Sequence, residues 1–330
     1  MKNDCIVFPE PNRVAVGSVE VGSPGPGRLV TRTRLTGVST GTETRVFRGK
    51  QDRSSFPLIP GYENLGEVVE AGPDTTLPVG TRLFVRGHEY DSTPYNRVWG
   101  SQVARSITPE SSAIPVPDAV TDEQAIYAKV CGIALHGAKR ARVQDGEWVV
   151  VVGLGIIGHL VVQQSCARGA RVIGVDVDEQ RLQLATEAGA AHVVNGLRLD
   201  AAQEVRSLTG GGANVGFDAT GLTSTIGMTA ACLRPRPWDD SPETCSRLVL
   251  QGSLEQPLTL DYYALFMPEL DVVTPRDCDT QDIVDSLSLM ETGALRPQII
   301  PATTYSYRDA AQAYPRLVSR EIMRVHFTWE

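Results

Sequence analysis

The sequence has little of what a metal knuckle, a membrane span or a nucleic-acid surface requires. Its six cysteines include no CxxC pair, so we expect neither a disulfide framework nor a structural zinc knuckle. The most apolar run, residues 148–162, contains three glycines and a histidine and is too short to cross a bilayer. The net charge of −8 argues against nucleic acid or an anionic membrane as the main partner.

Two further absences bear on location. The N-terminal residues lack the apolar core of a signal peptide, and cysteines without a pairing pattern suit a reducing compartment. We therefore expect a cytoplasmic protein whose partner is a small-molecule substrate.

The chain of 330 residues is long enough for two domains. Residues 1–117 consist of short apolar runs separated by Gly and Pro clusters, which predicts a β-rich domain. A helical stretch follows from about Asp122 to Ala141, with Thr121 as its N-cap. The residues from about 297 return to β-like and helical pieces that we assign to the first domain.

The middle of the chain alternates strands with helices. Six runs rich in β-branched residues are candidate strands: Trp148–Val152, Arg171–Asp176, His192–Val194, Val215–Ala219, Arg247–Gln251 and Asp271–Thr274. A further helix is predicted near Thr280–Thr292. Continuous apolar strands that alternate with helices predict an α/β domain with a doubly wound parallel sheet covered on both faces.

The sharpest motif is the segment GLGIIG at residues 153–158, which follows a buried strand and opens a helix. Gly153 allows the tight turn, Gly155 lets a pyrophosphate approach the backbone, and Gly158 lets the helix pack on the strand. A lone GxGxxG motif also fits an unrelated α/β domain. Here strand, turn and helix all agree, and the pattern predicts a dinucleotide site.

The helix that begins at Ile156 and Ile157 would direct its free N–H groups at the phosphates. Asp176 ends the next strand, about where a carboxylate binds the ribose hydroxyls of the adenosine. The same carboxylate would repel a 2′-phosphate, so we expect NAD(H) as the cofactor.

The order of the parts resembles the medium-chain dehydrogenase/reductase superfamily over nearly the whole chain. Five segments support the resemblance: residues 56–66, 79–83, 176–182, 187–190 and 217–221. Segments 37–43 and 60–63 are most similar to bacteriochlorophyllide a dehydrogenases and to sugar and cyclitol dehydrogenases.

The resemblance implies a Rossmann dinucleotide-binding domain over residues 121–294. It would be inserted into a GroES-like catalytic domain made of residues 1–120 and 295–330. The resemblance also adds Arg181 and Thr220 to the cofactor-binding residues, and with the exposed strand 271–274 it implies a homodimer.

The departures from the family concern its zinc ligands. Thr40 stands where zinc members have Cys, Tyr62 where they have His, and Lys129 falls near the third ligand. The four-cysteine lobe of zinc members should lie near residues 87–105, where no Cys occurs. These residues form a poor ligand set, so we expect no bound metal.

Side chains would then have to replace the metal. Lys129 is the only charge in residues 125–135 and should face a partner or a polar cavity. Tyr62 would be the proton donor with its phenolate stabilised by Lys129, and Thr42 matches the hydroxyl that relays the substrate proton in zinc members. The alternative is that Lys129 reaches solvent, Tyr62 packs and Thr42 serves a turn.

Other residues near these positions have open roles. Glu43 and Glu63 are polar candidates, whereas His136 and His159 are better explained as helix or core residues. Five more residues could line the pocket: Arg45, Arg48, Tyr90, Tyr95 and Trp99.

The favoured reading is a zinc-independent NAD(H)-dependent oxidoreductase that interconverts a secondary alcohol and a ketone on a cyclic or polyhydroxylated molecule. The alternatives are a hydroxyethyl bacteriochlorophyllide dehydrogenase, a quinone or enoyl reductase, and an inactive dinucleotide-binding sensor.

Overall fold

The computed structural model describes residues 2–52, 54–239 and 245–330. The chain divides into two compact units, Met1–Ala128 with Pro301–Glu330, and Lys129–Ile300. The second unit is therefore inserted between two segments of the first.

The unit boundaries lie a few residues beyond those expected from the sequence, because helical residues 122–125 belong to the first unit. Asp122 is the reason. Its carboxylate accepts a hydrogen bond from Arg34 Nε at 2.7 Å and another from Arg82 Nη1 at 2.9 Å. Both arginines lie on strands of the first unit, so these ion pairs tie the start of the helical stretch to that unit.

The strands follow the predicted division into a β-rich part and an alternating part. In chain order they are β1 (Lys2–Val7), β2 (Ala15–Glu20), β3 (Arg28–Gly37), β4 (Leu58–Ile59), β5 (Glu63–Ala71), β6 (Arg82–Val85), β7 (Asn96–Arg97), β8 (Arg105–Pro109), β9 (Ala113–Pro115), β10 (Trp148–Val152), β11 (Arg171–Asp176), β12 (His192–Asn195), β13 (Val215–Asp218), β14 (Arg247–Leu250), β15 (Asp271–Val273), β16 (Thr303–Ser306) and β17 (Val325–Thr328).

Most of the helices lie in the second unit. In chain order they are α1 (Thr42–Phe47), α2 (Asp122–Ala125), α3 (Ala128–Arg140), α4 (Ile156–Cys166), α5 (Glu179–Glu187), α6 (Ala201–Thr209), α7 (Thr223–Ala231), α8 (Tyr262–Phe266), α9 (Thr280–Glu291) and α10 (Ala310–Val318). Across the described residues, none of them combines the length and apolar character that crossing a membrane would need.

The single helix expected from Asp122 to Ala141 is two helices. Thr121 caps α2 as predicted, in a capping box with Gln124. The N–H of Tyr127 then bonds to the carbonyl of Gln124 in a tighter turn, at 3.1 Å, and α3 begins one residue later.

The first unit is built on an antiparallel sheet. Within the described residues its strand order is β16-β17-β3-β5-β6-β9, and β8 also pairs with β3. Because β3 lies between β5 and β17, Gly37 pairs with Glu63 on one side and with His326 on the other. This register brings the residue after Tyr62 close to the C-terminal strand.

The second unit contains a parallel sheet, in which the described strands follow the order β12-β11-β10-β13-β14-β15. All six strands were predicted from the sequence, and the helix near Thr280–Thr292 is observed as α9. The order of the strands reverses at β10, and in such sheets ligands bind beyond the carboxyl ends of the strands near that reversal.

Candidate functional site

The glycine-rich segment lies where β10 ends and α4 begins. Gly153 has a φ of +88°, and a side chain there would meet Thr220 Cγ2 at 2.7 Å. At Gly158 a Cβ atom would lie 1.9 Å from the carbonyl oxygen of Gly153. Both positions therefore require glycine for the protein's own packing.

Gly155 is different, because a Cβ atom there would meet nothing within 4 Å. Its lack of a side chain serves no internal contact and leaves space beside the loop. Gly155 is also the N-cap of α4, and among the described residues no side-chain hydrogen bond caps this helix end. The first N–H groups of α4, at Ile156 and Ile157, remain available to an anion in the way that a dinucleotide pyrophosphate requires.

The carboxylate of Asp176 holds the end of β11 beside this loop. Its Oδ2 accepts the N–H of Leu154 at 2.6 Å, and its Oδ1 accepts the N–H of Val177 at 2.7 Å. Arg181 on α5 places Nη1 3.7 Å from the same Oδ2. Asp176 therefore orients the glycine loop. It also lies at the strand end where the sequence predicts that a carboxylate binds the ribose hydroxyls of the adenosine.

Thr220 packs against the glycine-rich loop at Gly153. Its hydroxyl donates to Asp218 Oδ1 at 2.7 Å and accepts the N–H of Leu222 at 2.9 Å. Its methyl group and backbone lie against Gly153. The cofactor-binding residues predicted in this unit are thus brought together at the ends of β10, β11 and β13.

Tyr62 lies in the first unit, directly before β5. Its side chain is partly buried, and its ring meets the ring of Trp99 edge-on with centroids 5.3 Å apart. Burial raises the pKa of Tyr62, the charge of Glu63 raises it further, and a hydrogen bond from the Ser39 side chain opposes both. The phenol keeps its proton at neutral pH, as an unperturbed phenol also does.

A fully buried ion pair supports the residue that follows Tyr62. Glu63 Oε2 accepts a hydrogen bond from Arg324 Nη2, and both side chains are essentially inaccessible to solvent. Arg324 also donates through Nε to His326 Nε2 at 2.8 Å, and its guanidinium lies 4.0 Å from the centre of the Tyr127 ring. These contacts offset part of the cost of burying the charges.

Glu43 is a second buried carboxyl group, on α1. Its Oε1 accepts the Tyr314 hydroxyl and, at 3.2 Å, an N–H of Gln102. Within the described residues its Oε2 has no hydrogen-bond partner. Burial raises the pKa of Glu43 to about 8, and the nearby charge of Glu63 adds to the shift although the hydrogen bonds oppose it. Glu43 is therefore protonated at neutral pH, and Glu63 and Arg324 balance each other.

Lys129 lies at the start of the second unit and has the partner that its apolar surroundings predicted. Its Nζ is 2.6 Å from Asp277 Oδ1 and 3.4 Å from the sulfur of Cys278. Thr42, the other proposed proton-transfer residue, is the half-buried first residue of α1 in the first unit. The pairing of Lys129 with Tyr62 stays a prediction.

The two histidines on apolar helices differ from each other. His136 Nδ1 lies 2.9 Å from Asp282 Oδ2, and Lys139 Nζ lies 2.7 Å from the other oxygen of the same carboxylate. With Asp279 nearby, this group has the spacing of a metal site, but Lys139 already bonds one oxygen of the Asp282 carboxylate. His159 is fully buried without a described hydrogen-bond partner, and burial lowers its pKa to about 4.

Comparison with known proteins agrees with this architecture. An alcohol dehydrogenase GroES-like domain model matches residues 25–118, and a zinc-binding dehydrogenase model matches residues 157–291. The chain belongs to the medium-chain dehydrogenase/reductase superfamily. It is an oxidoreductase of this class and uses a nicotinamide dinucleotide.

Individual relatives cover most of the chain. The chain is 26% identical to the 2-desacetyl-2-hydroxyethyl bacteriochlorophyllide A dehydrogenase of Cereibacter sphaeroides, over 95% of this chain and 94% of that protein. It is 31% identical to an alcohol dehydrogenase of Rhizobium meliloti, over 60% and 64%. The 2R,3R-butanediol dehydrogenase of Bacillus subtilis shares its fold, with a TM-score of 0.85 at 20% identity and 99% coverage of both chains.

The family implies a zinc ion, and the residues at its ligand positions do not fit one. Thr40 offers a neutral hydroxyl, Tyr62 a phenol held in its protonated form, and Lys129 a cation paired with Asp277. Zinc in proteins takes thiolate, imidazole or carboxylate ligands. His88 lies in the segment expected for the four-cysteine lobe. Its Nδ1 is hydrogen-bonded to Ser106 Oγ at 2.9 Å.

Three residues that surround Tyr62 and its neighbours were not predicted from the sequence. Ser39 lies within the segment that carries the family resemblance, so it could have been considered. Arg324 and Tyr314 come from the C-terminal part of the chain, 261 and 271 residues from their partners Glu63 and Glu43. Nothing in the local sequence connects such distant positions.

The buried carboxyl of Glu43 generates a prediction about pH. Its ordinary pKa of 4.5 applies to the unfolded chain, whereas the folded value is about 8. The folded state therefore binds more protons between these values, and stability falls as the pH rises through this range. Glu43→Gln keeps an acceptor for Tyr314 but cannot ionise, so it should become more stable relative to the unmodified protein from about pH 5 to about pH 8.

Thermal unfolding across this pH range would measure the effect, which should reach on the order of a few kcal/mol. Glu123→Gln on α2 is the matched control, because it removes the same charge from an exposed site. A difference between Glu43→Gln and the unmodified protein that stays constant with pH would contradict the buried, protonated Glu43.

Proposed function

We propose that this chain is a zinc-independent, NAD(H)-dependent oxidoreductase that interconverts a secondary alcohol and a ketone on a cyclic or polyhydroxylated small molecule. The observation that carries the proposal is the position and contacts of Tyr62. A phenol stands at a family ligand position, and the Ser39 side chain makes a hydrogen bond to it.

A nicotinamide dinucleotide held at residues 153–158 and Asp176 would supply the hydride chemistry. The chain's own residues then have to handle the proton on the substrate oxygen. In the direction of ketone reduction, Tyr62 donates its proton as negative charge develops on that oxygen. Ser39, hydrogen-bonded to the phenol, stabilises the phenolate that remains. Thr42 is the second hydroxyl that we assign to this proton path, and Lys129 is proposed to stabilise the same phenolate.

A second candidate function is oxidation of a hydroxyethyl group on a bacteriochlorophyllide. It is favoured by the 26% identity to the Cereibacter enzyme over nearly the whole chain. Turnover of that pigment in preference to small cyclic alcohols would support this candidate.

The decisive experiment replaces the hydroxyl of Tyr62 and keeps its ring. Tyr62→Phe should lower kcat by roughly 10²–10⁴-fold, the range for loss of an acid–base group, with little change in cofactor affinity. Lys129→Met should also slow turnover. Tyr305→Phe is the matched control, because it removes a partly buried phenol hydroxyl that accepts a hydrogen bond from Arg316.

The assays are run on protein purified without chelator, after its zinc content has been measured. Well under one zinc per chain and full activity in chelator are expected. Near-normal kcat in Tyr62→Phe would reduce the phenol to a packing role. Stoichiometric zinc, or activity that chelator removes and zinc restores, would overturn zinc independence.

The preference for NAD(H) is proposed from Asp176, whose negative charge would repel a 2′-phosphate. The unmodified protein should bind NADH about tenfold or more tightly than NADPH, a difference of about 1.4 kcal/mol. Asp176→Asn keeps an acceptor for the N–H of Leu154. It should reduce the difference in affinity between NADH and NADPH. Asp178→Asn, the same charge change two residues away, should leave it unchanged, and tighter binding of NADPH by the unmodified protein would refute the assignment.

We also propose a homodimer that pairs the β15 edges of two copies. β15 is the last strand of the parallel sheet, and Val272 on it is 42% exposed. An edge that no described strand pairs with, and that carries an exposed apolar residue, favours pairing with the same strand of a second copy. Light scattering at micromolar concentration should give a dimer, and Val272→Lys should give a monomer. Val284→Lys on α9 is the control. If the unmodified protein is a monomer, the proposed dimer is wrong.

A further inference from the structure

The backbone at Trp99 is strained. Its φ is +67°, and the following residue, Gly100, has a φ of +77°. Among the described residues, Trp99 is the only aromatic with a positive φ. A bulky side chain seldom adopts this conformation, and it persists where the surrounding structure holds it and function requires it.

Backbone hydrogen bonds hold Trp99 from both sides. Before it, the N–H of Val98 bonds to the carbonyl of Ile59 at 3.1 Å. After it, the N–H of Ser101 bonds to the carbonyl of Gly61 at 3.0 Å. Both acceptors lie in the segment that leads directly into Tyr62, so the turn and the phenol are fixed to each other.

Side chains fix the same turn. The Tyr90 hydroxyl donates to the carbonyl of Gly100 at 2.5 Å. Arg97 lies 5.7 Å above the Tyr90 ring and donates to the carbonyl of His88 at 2.5 Å. The strained geometry is therefore held by contacts that do not involve the Trp99 side chain itself.

The Trp99 ring gains little burial from this arrangement. It is 49% exposed, and its described ring contact is the edge-on approach to Tyr62, with an interplanar angle of 81°. A tryptophan that packed the core would be covered instead. The strained turn therefore leaves about half of Trp99 exposed beside the phenol that we assign to proton transfer.

We propose that Trp99 is a specificity-determining residue whose indole face binds the C–H face of a ring-shaped substrate, so that cyclic alcohols are preferred over open-chain ones. The inference rests on the proposed function of Tyr62. The negative face of an indole attracts C–H groups that carry partial positive charge, and a rigid ring presents several of them at once. An open chain would have to lose conformational freedom to match that surface.

Two pairs of probes test this inference. Cyclohexanol is compared with an open-chain secondary hexanol, and myo-inositol with mannitol, which carries as many hydroxyl groups on an open chain. Trp99→Gly relieves the strained backbone, Trp99→Leu keeps apolar volume, and Trp99→Phe restores an aromatic face. Trp238→Leu is the control, because Trp238 is 83% exposed and lies in the other unit.

The Gly and Leu variants should lose about tenfold in kcat/KM for the cyclic member of each pair, with a smaller loss for the open-chain member. The Phe variant and Trp238→Leu should stay close to the unmodified enzyme. Equal losses on both members, with a lowered unfolding temperature in Trp99→Gly, would make Trp99 a structural residue and overturn the inference.

A binding measurement separates this inference from the proposed function. Myo-inositol should quench the tryptophan fluorescence of the unmodified protein more than mannitol does, and Trp99→Leu should abolish the difference. If Tyr62→Phe retains full turnover while this quenching is present, the proton-transfer role fails and the Trp99 surface stands. If the quenching is absent while Tyr62→Phe is inactive, the Trp99 inference fails alone.

Discussion

The buried ion pair between Glu63 and Arg324 supports the candidate site of the first unit. Both side chains are inaccessible to solvent, so neither charge would be tolerated without the other. Gly37 makes the pair possible, because a side chain there would lie 2.5 Å from Glu63 Oε2 and 2.6 Å from Arg324 Nη2. The pair joins the start of β5 to the start of β17 and so fixes the backbone that carries Tyr62.

The charge balance around this pair determines the protonation of its neighbours. Arg324 is paired with Glu63, so a negative charge on Glu43 would be buried near the charge of Glu63, which is costly. Glu43 therefore retains its proton, and Tyr62 remains a neutral phenol. The described contacts of Glu43 and Glu63 are hydrogen bonds and one ion pair.

The candidate sites of the two units have different physical origins. The dinucleotide site depends on backbone shape, since glycines, a helix N-terminus and one carboxylate at a strand end lie within two consecutive strand–helix turns. These features are local, and the segment 153–158 with Asp176 was sufficient to predict them. The site around Tyr62 depends on side chains from distant parts of the chain, including Ser39, Trp99 and Arg324.

The same contrast explains where the expectations from the sequence were incomplete. All six parallel strands were predicted because each is a continuous apolar run with a helix after it. The break between α2 and α3 was not predicted, because the residues around the tighter turn at Tyr127 have the same helical pattern as their neighbours. The role of Asp122 in holding α2 to the first unit likewise depends on arginines from two separate strands.

The sequence by itself determined the fold class, the dinucleotide motif and the loss of the family's zinc ligands. Each of these features can be identified from residue types and their spacing within short segments. Only the tertiary structure decided that Glu43 is neutral, that Lys129 is paired with Asp277, and that Trp99 is held open beside Tyr62. These properties come from desolvation and from contacts between residues far apart in the chain. Neither is encoded by a local pattern, because both depend on which side chains the completed fold brings together.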